Sequence, residues 1–216
     1  MTEPLLFVMV NRANHIYSRT PGAYCGIGIF LIYDRIDSGL SLLKMVFSYY
    51  NKLSAAQKRT YRKSDEIHMV PLADGRAFQP LIERLDSALE QEDRAQTEEI
   101  CRTLVLDLAS SLGVPPLRLK VLPARPTGGW GELHGLYELA QGRASAVITL
   151  WMRTARHKRV VAFRTFLRTF LHEFCHHLDY HRYGLDDSFH TEGFYKRESS
   201  LFHQLVPEPA QPHKRA

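Results

Sequence analysis

The sequence predicts an α+β fold: a small antiparallel sheet packed on one long helix, with a mainly helical extension on the N-terminal side. Three observations predict it. Apolar runs with strand patterning fall between Leu117 and Met152. The stretch from Val160 to Tyr180 contains no Gly or Pro and repeats apolar residues at helical spacing. Upstream, several segments between Leu40 and Leu112 repeat apolar residues at i, i+3/i+4 and i+7, the pattern of amphipathic helices.

Leu5–Val10 is a short apolar run expected to be a strand. It is too short for a signal-peptide core or a bilayer span. Tyr24–Tyr33 holds Gly26-Ile27-Gly28-Ile29. A lone G-x-G lacks the phosphate-binding fingerprint and reads as packing or a strand bend. Leu40–Leu53 is helical in pattern, and Ser54 suits the N-cap of a further helix through Arg62. Phe78–Gln91 and Arg94–Leu112 read as two more helices. Gly113 then suits a C-cap, with Pro115 just beyond. The expected organisation is therefore a mostly helical region over 1–113, packed on the core or forming a lid, a core over 114–206, and a Pro-rich tail over 207–216.

In the core, Leu117–Val121 alternates apolar and basic residues, as a half-buried strand does. Pro123–Gly131 is turn-rich, Leu133–Leu139 is a second strand, and Gln141-Gly142-Arg143 is a turn. Ala144–Met152 is a third strand of high β-propensity.

The long helix carries His172-Glu173-Phe174-Cys175-His176, an H-E-x-x-H motif. Residues four apart share a helix face, so both imidazoles can reach one metal ion. Glu173 is rotated about 100° from His172 and can take a proton from a nearby water without being a ligand. Phe163, Leu167, Phe170, Leu171, Phe174 and Leu178 form one stripe. His172 and His176 lie nearly opposite it, beside Thr165, Thr169 and Asp179. This is the layout of a zinc hydrolase, which needs a third ligand from elsewhere. Cys175 points away from both histidines.

The helix should end near Tyr183-Gly184. A polar loop, Leu185-Asp186-Asp187-Ser188, leads to His190-Thr191-Glu192-Gly193-Phe194-Tyr195 and a second helix reaching about Leu205. An H-E-x-x-H helix, a short loop, then H-x-x-x-F followed by an aromatic resembles the SprT-like and WLM zinc metallopeptidases over roughly residues 117–205. The resemblance implies a zincin-like core, Zn2+ held by His172, His176 and His190, Glu173 as general base, and Phe194 packed beneath the metal. In such folds the strand before the metal helix often lies at a sheet edge where an extended peptide can pair; for Val147–Trp151 that role and a plain core strand both stay open. From the residues themselves, Glu198 and Glu192 remain alternatives for the third ligand, and Glu198 is otherwise a carboxylate that orients a ligand histidine. His177, His181 and His203 are expected at the surface or in support. Tyr180, Tyr183 and Tyr195 are candidate donors to an oxyanion. The chain lacks the C-terminal Cys-x-x-Cys zinc ribbon of the DNA-repair members, so a crosslink-repair role does not transfer.

The chain of 216 residues can bury a sizeable core. Its formal net charge is +5. Basic clusters at Lys58-Arg59, Arg62-Lys63 and Arg153 through Arg159 permit weak nucleic-acid contact but suit solvated faces better. Three cysteines, Cys25, Cys101 and Cys175, are too few for a disulfide framework and point to the cytoplasm. The expected function is a zinc-dependent metallopeptidase acting on a protein or peptide, without a membrane partner. The competing expectation is a nucleic-acid-associated binding protein with a structural zinc.

Overall fold

A computed structural model of the chain describes residues 47–206, apart from 129, 130, 141 and 143. The expected strand at Leu5–Val10, the Gly26/Gly28 segment, Cys25, most of the Leu40–Leu53 helix and the tail over 207–216 lie outside the described residues.

A short 3-10 helix over Ser48–Lys52 leads into α1, Ala55–Asp65. Ser54 Oγ accepts the Gln57 N–H and the Gln57 side chain accepts the Ser54 N–H, a capping box that fixes where α1 begins. The helix runs a turn beyond Arg62, and that turn carries the buried residues Ser64 and Asp65. Helix α2 spans Gln79–Glu90 with Pro80 in its first turn, where a missing N–H costs nothing. Helix α3 spans Arg94–Leu112, capped by Asp93 and closed by Gly113 at φ 65°, a left-handed conformation that glycine adopts without strain.

Strands β1 (Arg118–Ala124), β2 (Thr127–Gly128), β3 (Gly131–Glu132), β4 (Gly135–Glu138) and β5 (Val147–Arg153) follow. β2 and β3 form a small hairpin. The main sheet has the order β1-β5-β4. It is mixed rather than antiparallel as expected: β1 and β5 are parallel, with Leu119 opposite Ile148 and Val121 opposite Leu150. Residues 125–146 supply the long crossover that parallel neighbours require. β4, within that crossover, returns antiparallel to β5. Of the two readings of Val147–Trp151, the core strand is the one observed and the edge role is corrected. β5 is central, and its side chains from Ile148 to Met152 are all buried, as in strands covered on both faces.

The sheet's two edges differ. On β1, the free edge is covered by side chains one helical turn apart on α3. Arg94 donates to the Val121 carbonyl at 2.9 Å, Arg102 to the Leu119 carbonyl at 3.1 Å, and Glu98 accepts the Val121 N–H at 2.8 Å. Such cover blocks edge-to-edge pairing. β4 pairs with β5 alone among the described residues.

Helix α4 (Phe163–His181) lies against β4 and β5, and α5 (Glu192–Leu205) packs on α4. From Thr169 to Asp179 every residue of α4 is buried. The apolar stripe meets the core, while the histidine face is roofed by α5 and β4. Helices α2 and α3 contribute to the same buried cluster as α4 and α5. No helix of the described residues is long and apolar enough to cross a membrane.

Replacing Glu98 by Ala strips the Val121 N–H of its partner and frees two arginines. A loss of about 1–2 kcal/mol in urea unfolding is expected, with greater self-association because the β1 edge is opened.

Candidate metal centre

α4 brings His172 and His176 to one side of the helix. The loop after it returns His190 to them. His190 Nε2 lies 3.0 Å from His172 Nε2 and 3.2 Å from His176 Nε2. One nitrogen from each of the three lies within 4.8 Å of the others, so the cluster could hold a metal ion. Phe194, one turn into α5, sets its ring against all three imidazoles, with centroids 4.8, 4.8 and 5.1 Å from His172, His176 and His190. Thr191 positions it by accepting the Phe194 N–H at 3.0 Å as the N-cap of α5.

The outer nitrogens decide what the inner ones can do. His172 Nδ1 lies 3.0 Å from Glu198 Oε2. His176 Nδ1 lies 2.7 Å from Ser188 Oγ, whose own proton goes to Asp179 Oδ2. Both acceptors draw the imidazole proton to Nδ1, which leaves an Nε2 lone pair facing inward on each ring. His190 Nε2 lies between the two and has at most one proton to give. The three inward nitrogens cannot all satisfy one another, whereas a cation satisfies all three.

Burial lowers the pKa of His172 and His190 to about 3 and holds His176 well below its usual value. Burial also raises Glu173 well above the carboxylate range, opposed by the Tyr137 backbone N–H and reinforced by Glu198. Glu198 is pushed up to about 7 by burial, against the pull of the Arg168 guanidinium. Metal ligation needs neutral imidazoles, and the low values keep them neutral at physiological pH.

Of the two rival third ligands, Glu198 binds the outer side of His172, and Glu192 pairs with Lys196 at 2.6 Å. The structure brings neither into the cluster. Glu173 is 2% exposed, and its Oε1 has no hydrogen-bond partner. Gly135 on β4 lies so close that a Cβ there would overlap the Glu173 carboxylate and fall 2.8 Å from its Cγ. Tyr195 has its ring 6.1 Å from His172 and 6.0 Å from His190. The Tyr183 hydroxyl is hydrogen-bonded to the Met69 carbonyl, and Tyr180 stacks on Tyr137. His177 turns away from the cluster and is buried, held between the Tyr137 hydroxyl and the Pro115 carbonyl. His181 and His203 are exposed.

Sequence reasoning missed Ser188, Gly135 and Arg168. Asp179 carried a signal, since it shares the helix face of His176; Ser188 sits in a polar loop with nothing to mark it.

Glu198→Ala should weaken zinc binding about 10–100-fold, the range for losing a group that orients a ligand. His190→Ala should cost far more. Chelator competition on both variants checks the assignment; the reverse ranking would make Glu198 the third ligand. No protein-family model matches the chain, and no curated protein or solved structure matches it.

Proposed function

We propose that the chain is a zinc-dependent metallopeptidase in which His172, His176 and His190 hold the ion and Glu173 is the general base. The observation that carries this reading is the convergence of three imidazole nitrogens, with a buried glutamate next to His172 in the helix that supplies two of them. Three neutral imidazoles facing one another suit a zinc ion, and a glutamate in the same helix turn suits hydrolysis.

When bound, zinc supplies a Lewis acid that polarises a carbonyl and eases ionisation of water. Glu173 then accepts the proton of the attacking water and returns it to the leaving amine. Gly135 gives the carboxylate its place by having no side chain. A peptide substrate would approach along β4, the strand that packs against Glu173. In this reading β4 takes the part that the sequence suggested for β5. Phe194 and the core around α4 keep the ligand side of the centre dry. We place the protein in the cytoplasm on its sparse cysteines, of which Cys101 and Cys175 are buried and free.

Cleavage of an unfolded protein such as denatured casein by the zinc-loaded chain tests the proposal. Glu173→Gln should retain zinc and lose roughly 10²–10⁴-fold in kcat. A variant that cleaves as fast as the parent removes Glu173 as the base. Salt-sensitive DNA affinity with no cleavage would favour a binding protein with structural zinc.

Gly135→Ala should also retain zinc, yet lose about tenfold or more in kcat, because the new methyl displaces the carboxylate from its working position. Unchanged turnover would show that Glu173 does not need that space.

A further inference from the structure

His176 is not held by a carboxylate directly. Its Nδ1–H meets Ser188 Oγ at 2.7 Å, and Ser188 donates to Asp179 Oδ2 at 2.7 Å. Asp179 Oδ1 accepts from Arg197 Nη2 at 2.8 Å. Ser188 has one proton and gives it to Asp179. Its oxygen must therefore accept from His176, which fixes the Nδ1–H tautomer and leaves Nε2 for the cluster. The chain is buried throughout, with Asp179 and Arg197 both 0% exposed.

Arg197 also reaches away from the centre. Nη1 donates to the carbonyls of Ser64 and Ile67 at 2.6 and 2.7 Å, and Nη2 donates to Ser64 Oγ at 3.0 Å. These groups belong to the last turn of α1 and the residues after it. Gly193, four residues before Arg197, packs so tightly there that a Cβ would fall 2.6 Å from the carbonyl oxygens of both Ser64 and Asp65. A little upstream of α1, the Tyr49 hydroxyl donates to the His190 carbonyl at 2.9 Å. The segment before residue 68 thus touches the supports of two of the three imidazoles.

We propose that Arg197 is a positioning residue of the metal centre: it locks the last turn of α1 to Asp179 and, through Asp179 and Ser188, sets the orientation and tautomer of His176. The segment 47–67 is then a working part of the centre, although it lies far from it in sequence. The role needs arginine, because a planar fork meets several acceptors at once where a single ammonium cannot. This inference rests on the reading of His176 as a metal ligand.

The test uses the whole chain and zinc alone as probe. Zinc affinity is measured by chelator competition for Ser188→Ala, Arg197→Lys and Ser64→Ala. The His176 tautomer is read by long-range proton–nitrogen NMR in the metal-free and zinc-loaded protein. Ser188→Ala is expected to weaken zinc binding about 10–100-fold and to give metal-free His176 a mixture of tautomers, with the His172 signals unchanged. Arg197→Lys should shift both readouts the same way, and Ser64→Ala should weaken zinc several-fold. If the parent binds zinc while Ser188→Ala and Arg197→Lys match it in affinity and in the His176 signals, the proposal is overturned. Parental affinity in Ser64→Ala removes α1 from the centre. If Arg197→Lys fails to fold, Ser188→Ala and Ser64→Ala decide the two arms. If the parent binds no metal, the functional reading fails, and the His176 tautomer in Ser188→Ala still decides the relay.

Discussion

The direction of two protons governs this structure. His172 and His176 can turn lone pairs toward His190 only if something on the far side of each ring takes the Nδ1 proton. Glu198 does this for one ring, and Ser188 does it for the other. Those two acceptors come from different places, α5 and the loop before it. Both must therefore return to α4 for the inner nitrogens to converge. Phe194 on α5 closes the same space from below, so one helix supplies a hydrogen-bond acceptor and the apolar floor.

Burial makes that arrangement stiff. α4 is enclosed along the whole stretch that carries the histidines, and polar groups there have no bulk water to fall back on. A buried guanidinium such as Arg197 is destabilising by several kcal/mol unless it is paired and hydrogen-bonded. Here it meets a carboxylate, two carbonyls and a hydroxyl. Losing one partner leaves the others wrongly charged or unsatisfied, so the network holds one geometry. The Glu173 carboxylate is enclosed by the same packing, with Gly135 of β4 against it.

The features legible in the sequence are those set by neighbours along the chain. The N-cap at Ser54, the bounds of α3, the C-cap at Gly113 and the shared face of His172 and His176 all follow from local chemistry. The third imidazole needed a resemblance, because spacing alone left Glu198 and Glu192 open. Sheet order was misjudged for a physical reason. Strand patterning reports which faces are buried and says little about which strand lies beside which. The run from Val147 to Met152, polar only at Thr149, did hint at a central strand. Ser188 and the last turn of α1 were invisible, since their importance comes from contacts more than a hundred residues apart for Ser64 and Arg197.

The most direct test of the account is X-ray absorption at the zinc edge on the zinc-loaded protein. Three imidazole nitrogens at about 2.0–2.1 Å with one further oxygen donor is the expected first shell. A sulfur at about 2.3 Å, or only two imidazoles, would contradict the convergence of residues 172, 176 and 190 on a single ion.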